Sequence, residues 1–201
     1  MQDEVRIAVS LAEEIHDVVK PVVGLRVQAE KGIVSGDWQY LVDLKAEDLI
    51  TRFFENLWGK GYSFGYLTEE QGLILPKNGD VDKVFIIDPF DGSRPAQRGL
   101  NSCNIVIGVV DYEGSIPRLS DVKIGIVKPS LENSIYVGVV DQGKVYIVEQ
   151  GKFKEVNLAP SKMDSLERCF VDVEDYDLPS EIMGVVYSSI VEAVNEIIGK
   201  S

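Results

Sequence analysis

A change of periodicity near residue 62 is the feature that most constrains the fold. Before it, apolar side chains recur at helical spacing over residues 5–20, which Pro21 ends, and over residues 46–57, which a pair of glycines ends. After it come short runs that alternate apolar and polar residues, as strands do. These runs are residues 62–67, 84–87, 105–110, 124–127, 135–140 and 145–148.

Short separators rich in Gly and Asp divide several of these runs. The separators at 111–114, 141–143 and 150–151 are short enough for hairpins. We therefore predict an α/β protein of layered α+β type, in which the N-terminal helix pair packs on one face of a largely antiparallel sheet.

The pattern changes a second time near residue 160. An acid-rich run over residues 164–181 is typical of a solvated face, and apolar residues from Ile182 to Ile197 then step at helical spacing. We predict an N-terminal domain over 1–160 and the start of a shorter second lobe over 161–201.

Composition excludes several classes of protein. With 33 Asp and Glu against 20 Lys and Arg, the net charge of −13 argues against a nucleic-acid partner. No stretch approaches the roughly 18 to 20 apolar residues of a membrane span, and the N-terminus does not resemble a secretory leader, so we expect no membrane and a cytoplasmic location. Cys103 and Cys169 stand in separate apolar runs, which favours buried free thiols over a disulfide or a zinc site.

The string from Val84 to Ser93 contains the first candidate site. An apolar run leads into Asp88, Pro89 prevents a regular continuation, and Gly92 permits a tight turn. Asp88 and Asp91 are therefore expected to project from a strand end. Asp-Pro and Asp-Gly are also common turn dipeptides, so this string alone is more typical of an ordinary loop.

A second acidic pair, Glu69 and Glu70, follows another predicted strand. Two carboxylates about 4 Å apart repel by roughly 4 kcal/mol at an effective dielectric of 20. If Glu69, Asp88 and Asp91 converge, a cation is needed to offset that repulsion. All-oxygen ligands select Mg²⁺ first and Mn²⁺ or Ca²⁺ next. Taken without Asp88 and Asp91, the pair is more simply interpreted as an acidic surface.

Three elements in order resemble a known family. Asp88-Pro-Phe-Asp-Gly-Ser93 resembles the DPxDG(T/S) signature of the inositol monophosphatase and fructose-1,6-bisphosphatase superfamily, and Thr68-Glu-Glu70 resembles the GEE or SEE element that precedes it. The 19 residues from Glu69 to Asp88 fit that spacing, and Asp43-Leu-Lys-Ala-Glu47 is similar to the D-x-x-x-E helix upstream. The resemblance implies the fold of that superfamily.

The resemblance also implies two Mg²⁺ ions, for which Mn²⁺ is a possible substitute. Glu69, Asp88 and the backbone carbonyl of Phe90 would hold one ion, and Asp88 and Asp91 would hold the other. Such a pair polarises a phosphoryl group and activates a water for direct attack on phosphorus.

Catalytic and substrate roles are implied in the same way. Glu69 would be catalytic as well as a ligand, Ser93 with Asp43 would orient or deprotonate the water, and Glu70 would support the metal ligands. Lys31 stands near the expected site lysine, and the N–H groups of Gly92 and Ser93 would bind the phosphate if a helix starts after Gly92. Arg94 and Arg98 depart from the family, since many members have an Asn-Phe continuation there, but they could also reach a phosphate or a second acidic group of the substrate. Simpler interpretations stay open: a helix N-terminal acid for Asp43, a solvated lysine for Lys31, and exposed arginines that balance the acids.

One family element is absent. Complete members carry a Trp-Asp-x-Ala-Ala-Gly-like motif in a second lobe, whereas Trp38 and Trp58 both lie near the N-terminus and neither begins such a motif. The sequence is therefore expected to represent either a shortened chain, lacking most of that lobe, or a divergent branch.

The resulting hypothesis is Mg²⁺-dependent hydrolysis of a small phosphate monoester, of the inositol monophosphate or fructose 1,6-bisphosphate class. A homodimer is expected, because a shortened lobe would expose apolar surface. The alternative is a weakly active or inactive homologue that binds metal and acts as an interaction module. An acidic α/β protein that binds no metal is the third possibility.

Overall fold

A computed structural model describes residues 3–22, 29–31, 38–77, 80–92 and 103–158, together with the helical positions 188 and 192. The chain divides into two compact units, Met1–Asn157 and Leu158–Ser201. The two long helices and all the described strands belong to the first unit. The predicted acidic run, most of the predicted C-terminal helix and Cys169 lie outside the described residues.

Two long helices confirm the first part of the prediction. Helix α1 spans Asp3–Val19 and ends in a 3₁₀ turn, Lys20–Val22, that contains Pro21. Helix α2 spans Leu41–Gly59. Phe54 of α2 is fully buried, whereas Phe53 is partly buried at the edge of the core. The buried positions 46, 50, 54 and 57 follow the i+4 and i+3 steps of one helix face.

The strands form one large sheet and one small ribbon. The ribbon pairs β1 (Ala29–Lys31) with β2 (Trp38–Tyr40). The large sheet comprises β3 (Phe64–Thr68), β4 (Gly72–Ile74), β5 (Lys83–Asp91), β6 (Asn104–Asp111), β7 (Val122–Pro129), β8 (Ile135–Val139), β9 (Lys144–Glu149) and β10 (Lys152–Val156). Its order is β10-β9-β8-β7-β6-β5-β3-β4.

All neighbours in the large sheet are antiparallel except β3 and β5, which run parallel. The six predicted strands are present with small shifts at their ends. The sequence did not predict β1, β2, β4 or β10. Strands β4 and β10 are edge strands without a fully buried residue, so they lack the alternation that marks a half-buried strand.

Both helices pack against the large sheet, which confirms the layered architecture. Alternate residues of the central strands enter the core, as Ile105, Ile107 and Val109 do on β6. An aromatic group of Phe54, Tyr66 and Phe85 joins α2 to the sheet, with ring centroids 4.7 and 5.4 Å from that of Phe54. None of the described helices is long and apolar enough to cross a membrane.

Strand β5 continues further than Pro89 suggested. Its pairing with β6 shifts register between Asp88 and Asp91, and Asp91 pairs again with Asn104. A bulge accommodates the proline, which cannot donate to the ladder. The bulge thus changes the course of the strand at the position where its two acids lie.

Candidate functional site

Parallel pairing of β3 and β5 brings the two acidic segments to one edge of the sheet. Leu67 lies opposite Ile86 in this pairing. Glu69 and Glu70 form the turn directly after β3, and Asp88 lies two residues beyond Ile86 on β5. Because parallel strands end at the same edge, segments 19 residues apart in sequence become neighbours.

The charge environment of Asp88 shows that the predicted acids are electrostatically coupled. Asp88 is accessible to solvent, but protein partly surrounds its carboxyl, and this desolvation raises its pKa above that of an ordinary aspartate. The negative charges of Asp91 and Glu69 raise the pKa further. The backbone N–H of Phe90 opposes them by donating to Asp88 Oδ1 at 3.0 Å.

Glu47 on α2 is a further acid at the site. Glu47 is only 6% exposed, and burial raises the pKa of its carboxyl above the ordinary range. Hydrogen bonds to the carboxyl lower the pKa, whereas the negative charges of Glu70 and Asp88 raise it again. We call Glu47, Glu69, Glu70, Asp88 and Asp91 the acid cluster.

A hydrogen-bond network joins the acid cluster to α2. Thr68 Oγ1 donates to Glu47 Oε2 at 3.0 Å, and Gln71 Nε2 donates to the same oxygen at 2.6 Å. Gln71 Oε1 accepts from the hydroxyl of Tyr66 at 3.0 Å, and Gln71 Nε2 also donates to Thr51 Oγ1 at 3.1 Å. The turn that carries Glu69 and Glu70 is therefore tied to the helix.

The network contains residues that were not among the predicted site residues. Glu47 carried a signal, since it ends the Asp43-Leu-Lys-Ala-Glu47 pattern and lies one helical turn beyond Asp43. Gln71 comes directly after the acidic pair, but nothing in a lone glutamine indicates a role. Tertiary contact alone identifies it.

The structure gives less detail for the remaining predicted residues. Phe90 is buried within β5, Asp91 is exposed at its end, and Gly92 comes next in a turn with φ of 92°, in the region that favours glycine. Lys31 lies on β1 and Asp43 in the first turn of α2, and their side chains lie outside the described residues. Ser93, Arg94 and Arg98 also lie outside them.

The chemistry of the acid cluster fits a hard divalent cation. Its donors are carboxylate oxygens, and they crowd negative charge that a cation would offset. Within the described part of the chain, no three Asp, Glu, His or Cys side chains are arranged so that they could hold a metal ion. Coordination of one ion by Glu69, Asp88 and Asp91 stays a prediction.

A second buried charged group lies between α1 and β7. Lys128 is 2% exposed and donates to the backbone carbonyl of Glu132, and His16 Nε2 lies 2.9 Å from the carbonyl oxygen of Ser130. Burial lowers the pKa of both side chains, and the charge of Lys128 lowers that of His16 further. We call Lys128 and His16 the basic cluster. His16 is the one histidine of the sequence, and its contact is to a main-chain carbonyl.

Solved structures share this fold. An IMPase of Thermotoga maritima aligns with a TM-score of 0.53 and 22% identity, covering 84% of this chain and 57% of that one. A Pyrococcus horikoshii protein described as similar to inositol-1 monophosphatase aligns with a TM-score of 0.53 and 22% identity, covering 80% and 56%. The chain therefore has the fold of the inositol monophosphatases.

Two curated proteins are similar to this chain in sequence. A fructose-1,6-bisphosphatase/inositol-1-monophosphatase of Methanothermobacter thermautotrophicus is 29% identical over 169 residues, which are 81% of this chain and 56% of the relative. A bifunctional NADP phosphatase/NAD kinase of Methanocaldococcus jannaschii is 23% identical over 198 residues, 89% of this chain and 34% of the relative. No protein-family model matches.

Both comparisons confirm the resemblance to the inositol monophosphatase/fructose-1,6-bisphosphatase family. Both curated relatives are described as phosphatases, which supports the predicted phosphatase class. The chain spans about half the length, or less, of the curated relatives it matches.

Proposed function

We propose that this chain hydrolyses a small phosphate monoester, of the inositol monophosphate or fructose 1,6-bisphosphate class, with Mg²⁺ as cofactor. The observation that carries the proposal is the coupling of Asp88 to Glu69 and Asp91 at a shared edge of two parallel strands. A divalent cation would offset the negative charges that raise the pKa of Asp88 at this edge of the sheet.

Glu69, Asp88, Asp91 and the carbonyl of Phe90 would hold the ions in this proposal. Bound Mg²⁺ supplies Lewis acidity toward the phosphoryl oxygens and lowers the pKa of a bound water. The Phe90 N–H donates to one oxygen of Asp88, and hydrogen bonds to Glu47 hold Thr68 and Gln71, the residues on either side of Glu69 and Glu70.

Proton transfer is assigned to Ser93 with Asp43, which would orient the attacking water or accept its proton. Lys31, Arg94, Arg98 and the backbone N–H groups of Gly92 and Ser93 would bind the phosphate. The roles of Ser93, Asp43 and Lys31 come from the family resemblance, whereas Arg94 and Arg98 are proposed from their charge and their place after the signature. The substrate class is supported by the names of the curated relatives, which include phosphatases of inositol-1-phosphate, fructose 1,6-bisphosphate and NADP.

The proposal includes a homodimer in the cytoplasm. Sedimentation of the full chain at micromolar concentration tests the assembly, and a strictly monomeric profile would contradict it.

Phosphate release from inositol 1-phosphate and fructose 1,6-bisphosphate tests the activity. We expect release with Mg²⁺ and none in EDTA. The Asp88→Asn variant, purified identically, reports any contaminating phosphatase. Activity of the unaltered chain that persists in EDTA would contradict the proposal. Metal binding without turnover would favour the interaction-module hypothesis.

A further inference from the structure

We propose that Glu47 is a positioning residue of the metal site and acts through the two residues that flank the acidic pair. The inference rests on the proposed function and concerns how this chain sets its affinity for the cation. Glu47 itself lies on α2, outside both segments that are proposed to hold the ion.

Both flanking residues meet at a single atom. Thr68 and Gln71 are the first and last residues of the four-residue turn, and each donates to Oε2 of Glu47. Thr68 Oγ1 also accepts from the backbone N–H of Gln71 at 3.1 Å, which closes the turn on itself. Glu69 and Glu70 are the two residues between these fixed ends.

The sheet alone holds this turn weakly. Strand β4 is an edge strand that pairs with β3 through three residue pairs, Tyr66–Ile74, Leu67–Leu73 and Thr68–Gly72. Short edge strands constrain an adjoining turn less than a central ladder does. The side-chain contacts to α2 therefore supply much of what fixes the orientation of the acidic pair.

Gln71 is held from several sides. Its amide nitrogen also lies 3.3 Å from the backbone carbonyl of Glu47, and its amide oxygen accepts from Tyr66. Tyr66 and Thr51 belong to β3 and α2, so the amide is fixed by both layers. Gln71 is an exposed residue at a turn, and its side chain amide is nevertheless hydrogen-bonded to protein groups through both its nitrogen and its oxygen.

A carboxylate at position 47 is unfavourable for stability by itself, since it is buried close to Glu70 and Asp88. The same placement adds negative potential where the cation is proposed to bind. Glu47 therefore favours the ion in two ways. It orients the turn, and it makes the electrostatic potential at the proposed cation site more negative.

Mn²⁺ binding to the full chain, measured by electron paramagnetic resonance and by calorimetry, tests the inference. We expect Gln71→Leu and Thr68→Val to weaken binding by about 10-fold or more, the usual effect of removing a partner of a metal ligand. Thr68→Ser keeps the hydroxyl and is expected to bind within about twofold of the unaltered chain. At saturating Mg²⁺, the KM for substrate should change less than the metal affinity.

Gln142→Leu is the matched control. Gln142 is an exposed glutamine that accepts from a tyrosine hydroxyl, that of Tyr146, just as Gln71 accepts from that of Tyr66. It belongs to the 3₁₀ turn before β9, and we expect unchanged Mn²⁺ affinity.

The outcomes separate this inference from the proposed function. If the unaltered chain binds Mn²⁺ and hydrolyses substrate while Gln71→Leu and Thr68→Val bind Mn²⁺ equally well, the inference is wrong and the proposed function stands. A lower melting temperature in EDTA with unchanged Mn²⁺ affinity also overturns it, since that result indicates a purely structural network. Absence of Mn²⁺ binding by the unaltered chain overturns both.

Discussion

The acid cluster and the basic cluster are both partly buried against the helix layer, but the charges around them differ. Mostly opposite charges surround the basic cluster, whereas like charges surround the acid cluster. The charges that act on Lys128 include three opposite ones, Glu13, Asp17 and Glu132, besides the like charge of Lys20. The charges that raise the pKa of Asp88 and Glu47 are all carboxylates.

This difference separates a structural charge from a functional one. The basic cluster is compensated by protein groups and by main-chain carbonyls, so its role is complete within the fold. The acid cluster has hydrogen-bond donors but accumulates like charge, which a ligand of opposite sign would offset. Perturbed carboxylates of this kind are typical of functional sites.

Asp88→Asn should produce the greatest change. We expect phosphate release at saturating Mg²⁺ to fall by at least about 100-fold, because a ligand is lost rather than a supporting contact. In EDTA the variant should melt at the same or a higher temperature, since like-charge repulsion is relieved. Asp111→Asn, at the end of β6 in the same sheet, is the control and should keep full activity. A large stability loss for Asp88→Asn in EDTA would contradict this interpretation of the acid cluster.

Added Mg²⁺ tests the contrast between the clusters through stability. Ligand linkage predicts a gain of about 2.7 kcal/mol in the free energy of unfolding at a concentration 100 times the dissociation constant. Urea unfolding with Mg²⁺ and with EDTA measures it. The gain should vanish in Asp88→Asn, and an equal gain in both proteins would place the ion elsewhere.

Ser130→Ala probes the basic cluster. The hydroxyl of Ser130 donates to the buried carbonyl of Cys103 at 2.7 Å. Its loss should lower the free energy of unfolding by about 0.5–1.5 kcal/mol, since the buried carbonyl loses one of two donors and keeps the backbone N–H of Ser130 at 3.0 Å. Activity per folded molecule should not change. Reduced Mn²⁺ affinity in this variant would show that the two clusters are coupled.

The pH dependence of stability in EDTA should be the weakest of these effects, and it differs in sign between the clusters. The raised pKa of Asp88 means that the folded state favours its proton, so this contribution is present at low pH and is lost as the pH rises through the raised value. The lowered pKa of His16 means the reverse, so stability falls as the pH drops below the ordinary value of 6.5.

Urea unfolding between about pH 4 and 8 separates the two contributions. Relative to the unaltered chain, Asp88→Asn should lose the pH dependence that the raised pKa of Asp88 causes. His16→Gln keeps an amide donor for Ser130 but has no titrating group, so it should lose the pH dependence that the lowered pKa of His16 causes. Parallel curves for all three proteins would contradict the assignment.

Much of the fold could be predicted because local periodicity reports burial directly. Residues 5–20 and 46–57 are amphipathic, and the runs around Val84 and Ile105 alternate, so one face of each must be buried whatever the partner is. The same reasoning could not find β4 or β10. Edge strands bury too little of either face to leave a pattern.

Some residues of the candidate site could be predicted from the sequence, and others could not. Asp88 and Glu69 are marked by the proline, the glycine and the spacing around them, and these are covalent features of the chain. Nothing local marks Gln71, and the motif that contains Thr68 gives no sign of its contact with Glu47. Their role arises where a turn meets α2, 24 and 21 residues away in sequence.

The amino-acid order alone specified the two long helices, six strands of the large sheet and the acidic segments at two of them, because these depend on nearest neighbours and on periodicity. Three-dimensional packing established that β3 and β5 run parallel, that their acidic ends share one edge, and that Glu47 bonds both ends of the turn. Pairing partners and long-range hydrogen bonds depend on how the layers pack, and no local pattern encodes that.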